Sequence, residues 1–146
     1  MRTLAAWLSA AAIAFPGAAA ALEFRAVGEV SILYDAPSKQ GKKLFVIQRG
    51  TPIEVIVDLE QWAKVRDAAG SIAWIERKSL ASARTVIVTA PSAEVRQQAD
   101  AASPLAFTAE KDVILQFGEK LASGWVRVKH RDGSAGFARA QDVWGE

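Results

Sequence analysis

WAKVRDAAGSIAWIERKSL at residues 62–80 and WVRVKHRDGSAGFARAQDV at residues 125–143 are two versions of one pattern. In each version a Trp opens a short alternating run, a Gly follows eight residues later, and an aromatic residue stands twelve residues after the Trp. An aliphatic residue closes the pattern after eighteen residues, and the two versions are 63 residues apart throughout. A repeat of this period indicates a duplicated unit, so the 146 residues are predicted to form two small domains.

The alternation in the first version is typical of a β-strand, because Trp62, Lys64 and Arg66 fall on one face and Ala63 and Val65 on the other. In each version the Gly follows the strand where a hairpin turn favours a positive φ. Other short apolar runs predict strands at residues 30–34, 44–47 and 84–89, and at residues 53–57, which are rich in β-branched residues. Correspondence with the first unit predicts two more strands, at residues 93–96 and 105–110.

The predicted fold is all-β, since the part of the chain after residue 21 has no long apolar stripe at helical spacing. One helical turn is expected at residues 76–80. Val30 and Ile32 are expected to face the core of the first unit. The extra length of the second unit is assigned to a loop, FGEKLASG, at residues 117–124.

The first 21 residues have the composition of a secretory leader. They combine a charged start at Arg2, an apolar run over residues 4–15, and Ala19 and Ala21 at the −3 and −1 positions of a cleavage site before Leu22. Cleavage one residue earlier is the second possibility. The apolar run is too short to cross about 30 Å of hydrocarbon, so a mature periplasmic chain without a membrane span is expected.

Composition excludes several classes of function. There is no Cys, so disulfides, thiol catalysis and Cys-based zinc sites are absent. The net charge of +2, or +1 without Arg2, is far from the concentrated basic field of a nucleic-acid-binding protein. His130 is the one His, and neither a nucleophile with its base nor a converging set of metal ligands is recognisable. We therefore expect no enzyme activity, cofactor or metal.

Five short strands, a Pro-Ser-Gly loop, a W-x-[KR]-V strand and a Gly turn followed by an aromatic residue resemble the bacterial SH3 domain in tandem. The first copy carries ILYDAPS at residues 32–38 and AWI at residues 73–75. The second carries QQADAAS at residues 97–103, with Gln97 in place of Tyr34, and GFA at residues 136–138. The resemblance implies two small five-stranded SH3-like barrels, over residues 22–80 and 84–146, with a joint of three residues between them.

The resemblance also implies a ligand groove between the first long loop, the distal hairpin and the end of the last strand. The first copy retains Tyr34, Trp62 and Trp74 there, and the second retains Trp125 and Phe137. The Pro and Tyr that complete a polyproline groove are replaced by Glu76, Arg77 and Lys78. With the cations beside Trp62 included, the predicted ligand-binding set is Tyr34, Trp62, Trp74, Lys64, Arg66, Trp125 and Phe137.

Two functions remain open from the sequence. A binding module would recognise cell-wall peptide or a protein segment through the aromatic side chains of the first barrel, and the resemblance supplies the link to the cell wall. A structural adaptor would instead contact another envelope protein through a strand edge or the seam between the domains. In the second case Trp62 and Trp125 would be packing residues. The oligomeric state is not predicted.

Overall fold

The computed structural model describes residues 21–146, and the predicted leader therefore lies outside the described residues apart from Ala21. The described part of the chain forms two antiparallel sheets of seven strands with the same strand order. Its only helical segments are two single 3₁₀ turns. The predicted all-β fold and its tandem organisation are confirmed.

The first barrel contains seven strands instead of the five predicted. They are β1 (Glu23–Val27), β2 (Ser31–Tyr34), β3 (Lys43–Ile47), β4 (Pro52–Asp58), β5 (Trp62–Arg66), β6 (Ile72–Glu76) and β7 (Leu80–Ala81). Their order in the sheet is β3-β2-β6-β5-β4-β1-β7, and a 3₁₀ turn at Arg77–Ser79 leads into β7. The two additional strands are the lead-in β1 and the short β7, which pair with each other.

The second barrel repeats this order as β10-β9-β13-β12-β11-β8-β14. Its strands are β8 (Thr85–Val88), β9 (Ser92–Arg96), β10 (Leu105–Glu110), β11 (Ile114–Lys120), β12 (Trp125–Lys129), β13 (Ala135–Arg139) and β14 (Val143–Trp144). The predicted loop at residues 117–124 is partly wrong, because β11 continues to Lys120 and pairs with β12 across an irregularity between Phe117 and Glu119.

Each barrel has its own core of small and β-branched side chains, as expected from the alternation of β5 and β12. The first core contains Val27, Leu33, Ile47, Ile53, Ala63, Val65, Ala73 and Ile75. The second contains Val86, Val88, Ala93, Val95, Ala109, Leu115, Val126, Val128, Ala138 and Val143.

The predicted inward face of β2 is wrong. Val30 is 60% exposed, whereas Ser31 and Leu33 are buried. Because side chains alternate across a strand, the error of one residue exchanges its two faces. Ser31 can be buried because its hydroxyl donates a hydrogen bond to the carbonyl oxygen of Glu29 at 2.9 Å.

The two barrels touch along a seam built from both ends of the described chain. The rings of Phe24 and Trp144 meet edge to face with centroids 5.1 Å apart. The hydroxyl of Thr85 donates to the carbonyl oxygen of Gly50 at 2.6 Å, and the guanidinium of Arg84 lies 5.8 Å from the ring centroid of Phe24. The seam therefore combines aromatic and cation–π contacts with a hydrogen bond to a backbone carbonyl.

Candidate ligand-binding face

Three adjacent strands of the first barrel bring most of the predicted side chains onto one outer face. Tyr34 on β2 is paired with Trp74 on β6, and Trp74 is paired in turn with Lys64 on β5. These three residues form one row across the sheet. Trp62 lies in the neighbouring row, opposite Glu76. We call Tyr34, Trp62 and Trp74 the aromatic face.

Within the aromatic face, Tyr34 and Trp62 are in direct contact. Their ring centroids are 5.5 Å apart and the planes meet at 88°, the edge-to-face arrangement that aromatic quadrupoles favour. Tyr34 is only 7% exposed, whereas Trp62 and Trp74 are half-buried. The two tryptophans therefore supply most of the exposed aromatic area, and Tyr34 fixes the position of one of them.

The two predicted cations behave differently. Lys64 Nζ lies 5.9 Å from the ring centroid of Trp74, within the range of a cation–π contact. Arg66, at the other end of β5, forms an ion pair with the buried Glu54 at 3.5 Å. Lys64 thus presents its charge beside an aromatic ring, while Arg66 is engaged by an acid of its own barrel.

A cavity of about 260 Å³ lies beside Tyr34, and sequence reasoning missed it. Its polar lining includes Glu29, Ser31 and the residues around the 3₁₀ turn, Glu76, Lys78 and Ser79. The carboxylate of Glu76 forms ion pairs there with Lys78 and Lys39, at 3.4 and 3.5 Å. The sequence feature that indicates this cavity is the charged segment Glu76, Arg77 and Lys78 after the last long strand.

The second barrel places different residues at the corresponding positions. Phe137 is the counterpart of Trp74, and it pairs with Arg96, so Arg96 and not Gln97 stands in place of Tyr34. The predicted replacement by Gln97 was wrong by one residue, because the connection between β11 and β12 is one residue longer than that between β4 and β5, so the 63-residue offset does not hold for the strands before it.

Trp125 is only 8% exposed, and the guanidinium of Arg139 lies 4.9 Å from its ring centroid. Arg127 lies 5.1 Å from the ring centroid of Phe137, as Lys64 lies beside Trp74 in the first barrel. Trp125 and Phe137 of the second barrel are thus each accompanied by an arginine.

The corresponding cavity of the second barrel is larger, about 430 Å³. Its lining includes the charged residues Glu94, Arg96, Arg139 and Asp142 together with Trp125. Arg96 forms an ion pair with Glu94 and also donates to the carbonyl oxygen of Ser103 at 3.2 Å. This cavity is therefore bordered by charge and by one covered tryptophan, in contrast to the aromatic face.

The contacts of Trp62 and Trp125 described above lie within their own barrels, and the aromatic pair at the seam is Phe24 with Trp144. Residues 21–146 contain no cluster of three or more His, Cys, Asp or Glu side chains placed to hold a metal ion. No helix in the same range is long and apolar enough to cross a membrane.

Comparison with known proteins gives one family. The family model of the bacterial SH3 domain matches residues 27–81 and again residues 89–145. Among solved structures, NlpC2 from Trichomonas vaginalis is similar with a TM-score of 0.41 and 12% identity over 86% of this chain and 49% of its own. NlpC1 from the same organism gives a TM-score of 0.40 and 10% identity over 89% of this chain and 48% of its own. The chain thus spans about half the length of these structures, and no curated protein matches it.

Proposed function

Since the chain belongs to the bacterial SH3 domain family, with one copy in each half, we propose that it is an exported, non-enzymatic binding module. The first barrel holds a cell-wall peptide, or a segment of an envelope protein, on its aromatic face. The working compartment is the periplasm, consistent with the leader predicted from the sequence.

The observation that carries this proposal is the contact of Tyr34 with Trp62 beside a half-buried Trp74. Aromatic side chains offer a large contact area at low cost in conformational entropy, and they dominate the energetics of many binding surfaces. Here the edge-to-face contact holds the Trp62 ring in one orientation before any ligand arrives. A rigid, partly exposed aromatic surface is suited to the backbone and apolar groups of a short peptide.

Lys64 gives the aromatic face its charge preference. Its ammonium lies beside Trp74 and has no carboxylate partner among residues 21–146. A ligand carboxylate can therefore pair with Lys64 without displacing an existing ion pair. Arg66 contributes less, because a ligand would have to compete with Glu54. The favoured ligand is thus a peptide that carries a free carboxylate next to apolar or backbone groups.

A structural adaptor is the second candidate function. The observation that favours it is an exposed apolar strand at the edge of the first sheet. The two candidates use different residues of the first barrel, so variants can separate them.

The test measures binding of the chain from Leu22 onward to purified sacculi. Trp62→Ala is expected to weaken binding by about 2 kcal/mol, or roughly thirtyfold, as for a hot-spot aromatic residue. Trp125→Ala is the matched control, and it should change binding much less because Arg139 already covers its ring. Lys64→Ala should have an intermediate effect.

Unfolding by denaturant checks that each variant still folds. If Trp62→Ala retains wild-type stability and wild-type binding, the aromatic face is not the site. If both tryptophan variants unfold, the two residues are packing residues, and the adaptor becomes the better description.

A further inference from the structure

The outermost strand of the first sheet, β3, has an unusual surface. It pairs only with β2, so its other side presents unpaired backbone N–H and C=O groups. Three consecutive apolar residues on it, Leu44, Phe45 and Val46, are 40%, 39% and 59% exposed. We call these three residues the β3 edge. Natural proteins protect such edges, because they are templates for the addition of another strand.

The second barrel shows that the fold does not require this surface. At the same register, β10 carries Ala106, Phe107 and Thr108, and Phe107 is half-buried. The outward-facing pair Val46 with Ile32 in the first barrel corresponds to Thr108 with Glu94 in the second. The second barrel forms the same strand order with a polar pair at this place. The fold therefore does not require the apolar pair of the first barrel, which is a feature of its outer surface.

The charges around the β3 edge are also unlike those elsewhere on the barrel. Five of the nine cations of the first barrel form ion pairs with acids of that barrel, and Lys64 lies over a ring. The remaining three, Lys42, Lys43 and Arg49, have neither an ion pair nor a cation–π contact within residues 21–146. Two of them stand at the start of β3 and the third follows its end. The exposed apolar edge is thus bracketed by free positive charge.

We propose that the β3 edge docks an extended segment of another protein whose apolar residues are flanked by acidic ones. The segment adds to the sheet as a further strand, so backbone hydrogen bonds hold it while Leu44 and Val46 contact its apolar side chains. Acidic residues at its ends pair with Lys42, Lys43 and Arg49 and fix its register. This inference rests on the adaptor candidate and is independent of the aromatic face.

A second copy of the chain fits the edge less well than an acidic segment. Antiparallel pairing of two β3 strands centred on Val46 would set Lys43 of each copy opposite Arg49 of the other. Like charges directly opposite one another destabilise a strand pair. The cations therefore act against self-association and favour a partner of opposite charge.

The test starts from peptides selected on the protein itself. A displayed library of random dodecapeptides is selected on the immobilised chain from Leu22 onward, and the enriched peptides are synthesised. Alternating apolar residues with Asp or Glu at the ends are expected. Their dissociation constants are then measured for the wild type and for two double variants, Leu44→Ala with Val46→Thr and Lys42→Glu with Lys43→Glu.

Both double variants should weaken binding at least tenfold, and the charge variant should also reduce its dependence on salt. Ala and Thr stand at the same positions of β10, so the first variant is expected to fold, and its unfolding midpoint verifies this. Binding to sacculi should survive in the edge variants and be weakened roughly thirtyfold in Trp62→Ala, which should still bind the selected peptides. Binding at the aromatic face and docking at the β3 edge can therefore be tested separately, even if one of the two proposals fails.

Several outcomes overturn the inference. They are the enrichment of no peptide, enrichment without acidic flanks, or equal affinity for the wild type and the edge variants. Loss of peptide binding in Trp62→Ala alone assigns the peptides to the aromatic face. If sedimentation shows a dimer, and Leu44→Ala with Val46→Thr abolishes it, the occupant of the β3 edge is a second copy of the chain. If the protein binds anionic vesicles and this binding depends on Lys42 and Lys43, the occupant is a membrane surface.

Discussion

The first barrel places Trp62 opposite Glu76, whereas the second places Trp125 opposite Arg139 at the same position of the sheet. This difference, together with Arg96 in place of Tyr34, changes how each tryptophan is covered. Arg139 lies over the ring of Trp125, which is almost fully buried, while Trp62 meets Tyr34 edge to face and is only half-buried. The duplication has therefore kept the packing of the sheet and changed its outer surface.

The same division applies to the β3 edge and its counterpart on β10. Most inward positions are apolar in both barrels, as with Leu33 and Val95. At outward positions one barrel can have an apolar residue where the other has a polar one, as with Val46 and Thr108. Since burial constrains the inward face alone, the outward face of each copy is free to acquire its own partner. This comparison is the physical basis for assigning binding to the first barrel.

The largest expected effect concerns one position of the core at which the two barrels differ. Gly136 lies where the first barrel has the buried Ala73. A Cβ at Gly136 would clash with the carbonyl oxygen of Arg96 and lie 2.8 Å from Cγ1 of Val95. Gly136→Ala should therefore destabilise the second barrel by about 3 kcal/mol in denaturant unfolding, since overpacking forces the backbone to move.

Ala73→Gly is the matched control. It removes a methyl group that the first barrel accommodates, and it should cost only about 1 kcal/mol. Equal losses for the two variants would show that β13 does not approach β9 more closely than β6 approaches β2, and the comparison at this position would be wrong.

How much of the fold can be predicted from the sequence depends on whether local or distant contacts decide which residues face inward. The repeat at Trp62, Gly70 and Trp74 identified the strand, the turn and the return strand, because turn geometry and strand alternation are local properties. Gly70 and Gly133 both have the expected positive φ, 89° and 95°. The resemblance to the family then indicated that these strands form two small barrels.

The errors arose where contacts distant in sequence decide the structure. Val30 is more apolar than Ser31, but the position of β2 relative to β6 buries Ser31. The counterpart of Tyr34 was misplaced because loop length, and not the local pattern, sets the offset between the copies. The cavity beside Tyr34 and the Phe24–Trp144 contact join residues far apart in the chain, and no local pattern indicates them.

The seam gives the next largest effect. In a double-mutant cycle of Phe24→Ala and Trp144→Ala, the coupling free energy should be about 1 kcal/mol, as expected for an edge-to-face pair. Denaturant unfolding of the four proteins measures it. Because the two residues belong to different barrels, a coupling near zero would mean that the barrels do not stabilise each other through these rings.

A smaller effect is expected from the cation–π pairs that both barrels share. Lys64→Ala and Arg127→Ala should each lower stability by about 0.5 kcal/mol, since both cations lie at partly exposed rings. Only Lys64→Ala should weaken binding to sacculi, because Arg127 belongs to the barrel without the aromatic face. Similar binding losses in both variants would show that the two barrels share the ligand, and the assignment to the first would fail.

The smallest expected effect lies at the tips of the two hairpins. In the first barrel Asp67 Oδ1 accepts the N–H groups of Ala69 and Ser71 at 3.0 and 2.9 Å. The second barrel has His130 at the position of Asp67, and Asp132 instead accepts the N–H of Ser134 at 2.8 Å. Hydrogen bonds from Ser134, and then from His130, hold the pKa of Asp132 below its ordinary value.

Because the folded pKa of Asp132 is lowered, its contribution to stability is present above the unfolded value of about 3.9 and is lost as pH falls through the folded pKa. Asp132→Asn should therefore be slightly less stable than the wild type near neutral pH, and the difference in the free energy of unfolding should shrink in acid. Denaturant unfolding at several pH values tests this, with carbon NMR titration of the carboxyl as a direct check. A carboxyl that titrates at or above about 3.9 would contradict the hydrogen bonding at this tip, because acceptance of N–H donors favours the charged form.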